Sequence, residues 1–510
     1  MGAVMQTANN APPQEPQPPA AAWGGLPAAF QTALSRTTCA ADDQTLVAWL
    51  FLRVLALIYA AAFLSLSTQI AGLVGQEGIL PLREYLAGAR ADQGVQAYWS
   101  IPTVFWINAS DVALQVVCLA GMASSAAAFF GMAIRAALVA CYVLYLSVTY
   151  AGQDFFNFQW DMLLLESGFL AILLVDRTRL VMSLCRFLLF RFMFMGGVVK
   201  LWSQEPTWRD MTALQFHLET QPLPSPLAWY AHQLPEFSLQ AMTLLVLVIE
   251  LVIPFFVFLA RPYRLAAGAG FLALQGSIML TGNFAFFNLL TVALCLFVLE
   301  DRDLRPLLSA GLVGRVVAAA RPPTAHARQA AAAMAAVVLL TCVSLTWYSN
   351  MHRPPPHPLA VLLRVTSTLG IVNGYGPFAV MNKERHEIVV EGSQDGLTWM
   401  PYEFRYKPGE VKKPLGWNIP HQPRLDWQMW FAALGEPARN AWFTRFLDRL
   451  RQGSPPVLSL LERHPFTDKP PAFLRARLYR YRYATPTERA ASGQIWEREL
   501  LGDFDHARSR

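Results

Sequence analysis

Two stretches of the 510-residue chain gather acids, bases and amides among aromatics in a way that could support chemistry. The first, YAGQDFFNFQWDMLLLESGF at 150–169, places Gln153, Asp154, Asn157, Gln159, Trp160, Asp161 and Glu166 close together. Glu166 lies inside an apolar run. A carboxylate there costs about 2.5–3.5 kcal/mol on insertion scales, so it must be paired, protonated or turned to a cavity. Asp161 and Glu166 are five residues apart and do not share a helical face well. The second stretch, at 192–235, carries Lys200 directly after GGVV, then Trp208, Arg209, Asp210, His217, Glu219, Trp229 and His232. A lysine or histidine here could serve as a base and a carboxyl or imidazolium as an acid. The same residues also suit structural work. Lys200 could snorkel to a membrane interface, His217 could be a packed histidine, and the acids could lock helix ends.

A third stretch, FRYKPGE at 404–410 and PHQPRLDWQMWFAALG at 420–435, is dense in aromatics and charge. Arg405, Lys407, Arg424, Asp426, Trp427 and Trp430 could anchor a protein partner, because Trp and Arg dominate binding hot spots. Alternatively they form a salt-bridged surface packed on the rest of the chain. Glu250, with Pro254 close behind, is a further acid in an apolar run, whereas Asn283 and Asn288 read as packing or loop residues. No metal or cofactor is signalled: the nine His show no HExxH spacing, and the six Cys form no CxxC pair.

The elements that must position these residues follow from composition. The chain is 54% hydrophobic and only 15% charged, with a mean hydropathy of +0.31. A soluble protein carries about 25% charge, so a conventional cytosolic enzyme and a disordered chain are both excluded. The charge is unevenly placed. Residues 1–349 hold 18 Lys/Arg against 19 Asp/Glu, and residues 350–510 hold 23 against 16. A nearly neutral membrane part is followed by a basic soluble part. The excess of Arg over Lys and the abundant Ala suggest a bacterial, GC-rich source.

Residues 1–45 read as a disordered Ala/Pro/Gln-rich tail. Apolar runs follow at 46–72, 111–131, 133–150, 162–175, 181–201, 239–260, 264–281, 283–299 and 331–349, predicting a transmembrane domain over 46–349 with about nine helices. The connections holding Arg177, Arg179, Arg261, Arg264, Arg302, Arg305, Arg315, Arg321 and Arg328 would face the cytoplasm with the N-terminus. Loops 151–161 and 202–238, and everything after 350, would lie opposite. A proline-rich linker at 350–360 forbids continuation of the last helix. Beyond it, 361–510 reads as a β-rich, sandwich-like α+β domain: paired strands around the Ser-Gln-Asp-Gly turn in 386–406, helix over 425–452 and another strand at 474–483. The fold class is an α-helical multi-span membrane bundle with this soluble domain appended.

The strings GQDFFNFQWDMLLLESGFLA (152–171), RFMFMGGVVKL…PTWRDMTAL (191–214), HLETQPLPSPLAWYAHQLP (217–235) and NGYGPFAVM…EIVVEGSQDGLTW…YEFRYKPG…PHQPRLDWQMWFAALG (373–435) resemble the lipase maturation factor family. The match covers most of 46–500 in the same order. Leu218 departs from an aromatic expected in the family's histidine-aromatic-glutamate-threonine string. The resemblance implies a multi-pass membrane protein that helps exported lipases fold and assemble. Animal members sit in the endoplasmic reticulum membrane with a lumenal terminal domain engaging the client. The counterpart in a bacterium is the inner membrane with a periplasmic domain. A weaker likeness of GGVVKL to the membrane span of vitamin K-dependent carboxylases implies instead an enzyme with Lys200 as base.

Two functional expectations follow. In one, the protein is a folding factor without a catalytic site, its partners being the lipid bilayer and an exported client such as a lipase. In the other, Glu166, Lys200 and His217 converge on one catalytic cavity together with the 151–161 loop. Transport is disfavoured by the absence of a visible inverted repeat. Nucleic-acid binding is disfavoured because the basic charge is mixed with acids.

Overall fold

The computed structural model describes residues 43–504 except 157, 352–354 and 436–439. The expected disordered tail up to residue 42, Asn157 and part of the proline-rich linker lie outside the described residues.

Each of the nine apolar runs forms a helix. In chain order these are α1 (Thr45–Ser67), α2 (Asp111–Phe130), α3 (Ile134–Ala151), α4 (Gln159–Leu174) and α5 (Arg179–Trp202), then, after the short surface helix α6 (Ala213–Thr220), α7 (Glu236–Leu251), α8 (Arg261–Thr281), α9 (Phe287–Leu294) and α10 (Ala325–Met351). Local chemistry sets several ends. Ser110 and Thr178 accept the Ala113 and Val181 amides at the starts of α2 and α5, and Gly131 closes α2 in the left-handed region at φ 78°. Among the described residues six helices are long and apolar enough to cross a membrane: α1, α2, α3, α5, α10, and α7 with its 3₁₀ continuation to Phe258. The other three differ in kind. α8 has sufficient length but begins with Arg261 and Arg264. At about 1.5 Å per residue, the 16 residues of α4 and the 12 apolar residues at Phe287–Val298 fall short of a bilayer core of about 30 Å. Both are apolar on nearly every side because they lie inside the bundle, where lipid never reaches them.

Close approach inside the bundle depends on small residues. A Cβ on Gly168 of α4 would sit 1.9 Å from the Tyr59 hydroxyl of α1, which itself donates to the Leu164 carbonyl at 3.1 Å. A Cβ on Gly197 of α5 would lie 2.7 Å from the Leu251 side chain of α7. The Arg-bearing connections gather at one end. There Asp301 accepts the Leu46 and Val47 amides at the start of α1, Arg261 pairs with Asp303, Arg264 with Glu300, and Arg177 donates to the Arg321 carbonyl.

The chain resumes after the linker as α11 (His357–Thr368) and enters the C-terminal part at the other end of the bundle. Its strands are β1 (Arg385–Ser393), β2 (Met400–Pro401), β3 (Glu403–Phe404), β4 (Leu461–Arg463), β5 (Phe473–Tyr483) and β6 (Trp496–Asp503). They make an antiparallel sheet of order β2-β1-β5-β6 and a small β3-β4 pair. The expected hairpin is present, its turn held by Asp395, which accepts the Leu397 and Thr398 amides at 2.8 Å, and by Gly396 at φ 74°. The helix expected over 425–452 is instead two, α12 (Arg424–Leu434) and α13 (Ala441–Gln452), the first ending at Gly435. One continuous apolar core runs from α1 through α4 and α5 into Leu425, Trp427 and Phe443.

Gly168→Ala should lower the stability of detergent-solubilised protein by about 1–3 kcal/mol. Adding Tyr59→Phe should recover part of the loss, because the obstructing atom is the hydroxyl. An equal loss with and without Tyr59→Phe in a thermal-unfolding assay contradicts this packing.

Candidate functional site

A cavity of about 260 Å³ lies between α5, α6, α7, α8, α9 and the 377–381 segment. Lys200, one turn from the end of α5, reaches into it. Its Nζ donates to Glu250 Oε2 of α7 at 2.5 Å and to the Gly196 carbonyl at 3.2 Å, and lies 5.1 Å from the centre of the Trp208 ring. Gly196 and Gly197 let the two helices come near enough for this pair to form. Trp208 donates its indole N–H to the Phe378 carbonyl at 3.0 Å. His217 packs edge-on to Phe378, its ring 4.7 Å away. Burial and the nearby Lys200 ammonium push the imidazole down to about 4, so it is neutral at physiological pH. Farther in, Asn288 of α9 donates to Gln275 Oε1 of α8 at 2.6 Å. The remaining lining is almost wholly aliphatic or aromatic.

Glu166 does not reach this cavity. It is 2% exposed and holds a separate cluster, pairing with Arg191 of α5 and accepting the Tyr375 hydroxyl at 2.7 Å and the Asn373 amide at 3.0 Å. The expected convergence of Glu166 with Lys200 and His217 is therefore corrected. A buried carboxylate needs its own cation, and Arg191, one helix away, satisfies it first. Gln159 also turns to the C-terminal part, accepting the Gly376 amide at 3.0 Å.

Asp161 forms the third cluster. Arg424 of α12 grips it with both terminal nitrogens, at 2.8 and 3.0 Å, while donating to the Phe155 carbonyl at 2.8 Å. The Tyr145 hydroxyl donates to the same carboxylate at 2.5 Å. The guanidinium carbon lies 3.3 Å from the centre of the Phe156 ring. Asp161 and Arg424 are both buried. Trp160 packs edge-on to Trp427 at 4.7 Å, and Trp430 donates to the Thr220 carbonyl at 2.8 Å. Lys407 is spent on Glu387 at 2.8 Å, and Asp426 accepts the Tyr406 and Lys407 amides. Of the six residues proposed to bind a partner, Arg405 is exposed, while Lys407, Arg424, Asp426, Trp427 and Trp430 are buried. That expectation is corrected for these five: Arg424, Trp427 and Trp430 seal the C-terminal part to the bundle, while Lys407 and Asp426 are spent inside the C-terminal part.

The other expected site residues are scattered. Gln153 donates to the Leu80 carbonyl, and Asp154 and Asp210 are exposed. Glu219 accepts the Tyr483 amide, and His232 lies 5.3 Å from the Tyr483 ring. Among the described residues no group of three His, Cys, Asp or Glu could hold a metal ion. Sequence reasoning left out Arg191, Tyr145, Tyr375 and Gln275 and gave Asn288 no role. Arg191 was detectable as a cation in the middle of a span, where a charge needs a partner. Gln275 carried the same weaker signal of an amide in an apolar helix.

Residues 46–306 match the family model described as lipase maturation factor transmembrane domain, and residues 371–506 the model described as lipase maturation factor C-terminal domain. The chain belongs to the lipase maturation factor family. Lipase maturation factor 2 of Homo sapiens is 33% identical over 89% of this chain and 81% of its own length, and that of Gallus gallus 32% over 89% and 80%. Lipase maturation factor 1 of Bos taurus is 33% identical over 89% and 87%. No solved structure matches. These findings make the chain a multi-pass membrane protein of that family, and they lend no support to the carboxylase likeness. In this lipase maturation factor family member, Lys200 lies within the transmembrane match, whereas the Arg424–Asp161 pair joins the two matched parts.

Two outcomes are expected. Arg424→Met or Asp161→Leu alone should destabilise the protein by about 3–5 kcal/mol, because each leaves a buried charge unmatched, and the double replacement should be much milder. Equal or additive losses in thermal unfolding contradict the pairing. The second concerns pH. Burial and the neighbouring arginines Arg405 and Arg424 push His421 down to about 4, as burial and Lys200 do for His217. Below an ordinary histidine value of about 6.5, the unfolded chain binds protons that the folded one refuses, so stability should fall as pH drops from 6.5 towards 4. Replacing both histidines by Gln should flatten the thermal midpoint between pH 7 and 5. An unchanged slope assigns the pH dependence elsewhere.

Proposed function

We propose that this membrane protein assists the folding or assembly of exported lipases, with the bundle holding the C-terminal domain rigidly at the membrane face where clients emerge. The observation that carries this is its relation to lipase maturation factors over nearly the whole chain. The Arg-rich connections at the opposite end support a cytoplasmic placement there and a lumenal or periplasmic placement of the domain.

With most of the aromatic and basic set of 404–435 buried, the client surface must be sought elsewhere. The tip of the β1–β2 hairpin offers one. Leu397 is 85% exposed, Phe473 51% and Met400 37%. Arg475, paired with Glu391 at 2.6 Å, stacks on Trp399 at 3.9 Å and gives the patch a polar rim. Eight residue steps of β1 at about 3.3 Å carry this tip about 26 Å along the strand from Arg385, which ties the strand base to the 219–222 carbonyls. Adjacent solvent-exposed apolar side chains of this kind mark interaction sites. A chaperone face of exposed Leu, Met and Phe suits unfinished hydrophobic surface on a client.

Leu397→Asp with Phe473→Asp should lower crosslinking capture of a co-expressed lipase at least fivefold while leaving thermal stability unchanged. Undiminished capture would remove the hairpin tip from the client surface. These surface changes are the suitable test because deleting the domain would also strip Asp161 and Glu166 of partners within the bundle.

A further inference from the structure

The cavity around Lys200 has a chemistry that client binding does not use. Its walls are apolar, and two of its lining residues, Leu245 of α7 and Ser277 of α8, are also exposed on the outer surface of the bundle. The mouth therefore opens sideways between α7 and α8 on the outer face of the bundle, the face that a bilayer around the candidate spans would cover with hydrocarbon. An apolar cavity with such an opening is filled by acyl chains, since water has few partners there.

The deep end is polar and incompletely satisfied. Asn288 is 2% exposed, and its Oδ1 has no hydrogen-bond partner among the described residues. Gln275 is 5% exposed and accepts from Asn288, but its own amide group donates to nothing among the described residues. His217 faces the same space, with one ring nitrogen to donate and one to accept. Lys200 is already matched by Glu250, so the pocket carries no net charge. Buried amides without partners are uncommon in folded proteins and ask for an occupant that supplies them. The available set is one acceptor, one donor and one imidazole, which matches a group that both donates and accepts but carries no charge.

We propose that this cavity binds an uncharged acyl lipid of the acylglycerol class, its tail leaving between α7 and α8 and its hydroxyl and ester oxygens meeting Asn288, Gln275 and His217. A carboxylate or phosphate head fits less well, because Glu250 stands beside the only ammonium. The site lies directly under the 377–381 segment of the C-terminal part, through Phe378, so occupancy would brace the base of that domain.

The full-length protein in nanodiscs can be photolabelled with three probes bearing the same diazirine chain: a monoacylglycerol, a fatty acid at pH 8 and a phosphatidylcholine. Peptide mapping should place monoacylglycerol adducts on residues 242–250 and 274–281, well above the labelling of the lipid-facing side of α2. Ser277→Trp or Leu245→Trp, each at the mouth, should reduce those adducts at least fivefold and leave α2 labelling and the thermal midpoint unchanged. Asn288→Leu should reduce monoacylglycerol labelling at the cavity more than labelling by the other two probes. Labelling spread evenly over all lipid-facing helices, or unaffected by either Trp variant, overturns the site. Stronger cavity labelling by the fatty acid or phosphatidylcholine overturns the assignment of an uncharged head.

Discussion

The structure depends on the need to match charge that is buried at the boundary between the bundle and the C-terminal domain. Asp161 enters from a short helix enclosed by other helices, and Arg424 enters from the first turn of a helix 263 residues later in the chain. Both are buried from solvent, and among the described residues each is the other's ion-pair partner. The same logic repeats at Glu166, whose carboxylate takes Arg191 from the bundle but Tyr375 and Asn373 from beyond the linker. It repeats again at Arg385, which donates to three carbonyls of the 219–222 segment while pairing with Glu387. The attraction is not itself a large net gain, because desolvation offsets much of it. Its effect is on specificity: any arrangement that separates the two parts pulls Arg424 from Asp161 and takes further hydrogen bonds from Glu166 and Arg385.

The C-terminal part is consequently not a module on a tether. Its core is continuous with that of the bundle, its Trp430 indole donates to the Thr220 carbonyl, and the Trp229 indole from the bundle side donates to its Ala484 carbonyl. A domain held in this way presents its outer hairpin at a fixed height and angle above the membrane. That suits the proposed role in client folding, and it also places the base of the domain as a roof over the Lys200 cavity.

Much of the fold was legible because membrane burial leaves a strong mark on sequence. The nine apolar runs all became helices, and the hairpin turn at Ser393–Gly396 followed from its residues. What composition could not convey was which helices meet lipid and which are enclosed: α4 and Phe287–Val298 are as apolar as true spans for a different reason. The site was half legible. Glu166 was visible as needing a partner and Lys200 and Asp161 as polar groups of note, but the partners come from other segments, Arg424 for Asp161 above all. The aromatic and basic run at 420–430 looked like a partner surface because an internal interface and an external one use the same residue types. Asn288 and Gln275 were passed over because a single amide in an apolar helix is common packing until its hydrogen bonds are counted.

The most direct measurement of the central claim is hydrogen exchange by mass spectrometry on the protein in nanodiscs, comparing α12 with α4. A shared core joined at Arg424–Asp161 predicts that amides of both helices are strongly protected and open together, with similar rates. Exchange in α12 that is orders of magnitude faster than in α4, while β1 and β5 stay protected, would show a domain that hinges freely on the membrane part and would contradict the account.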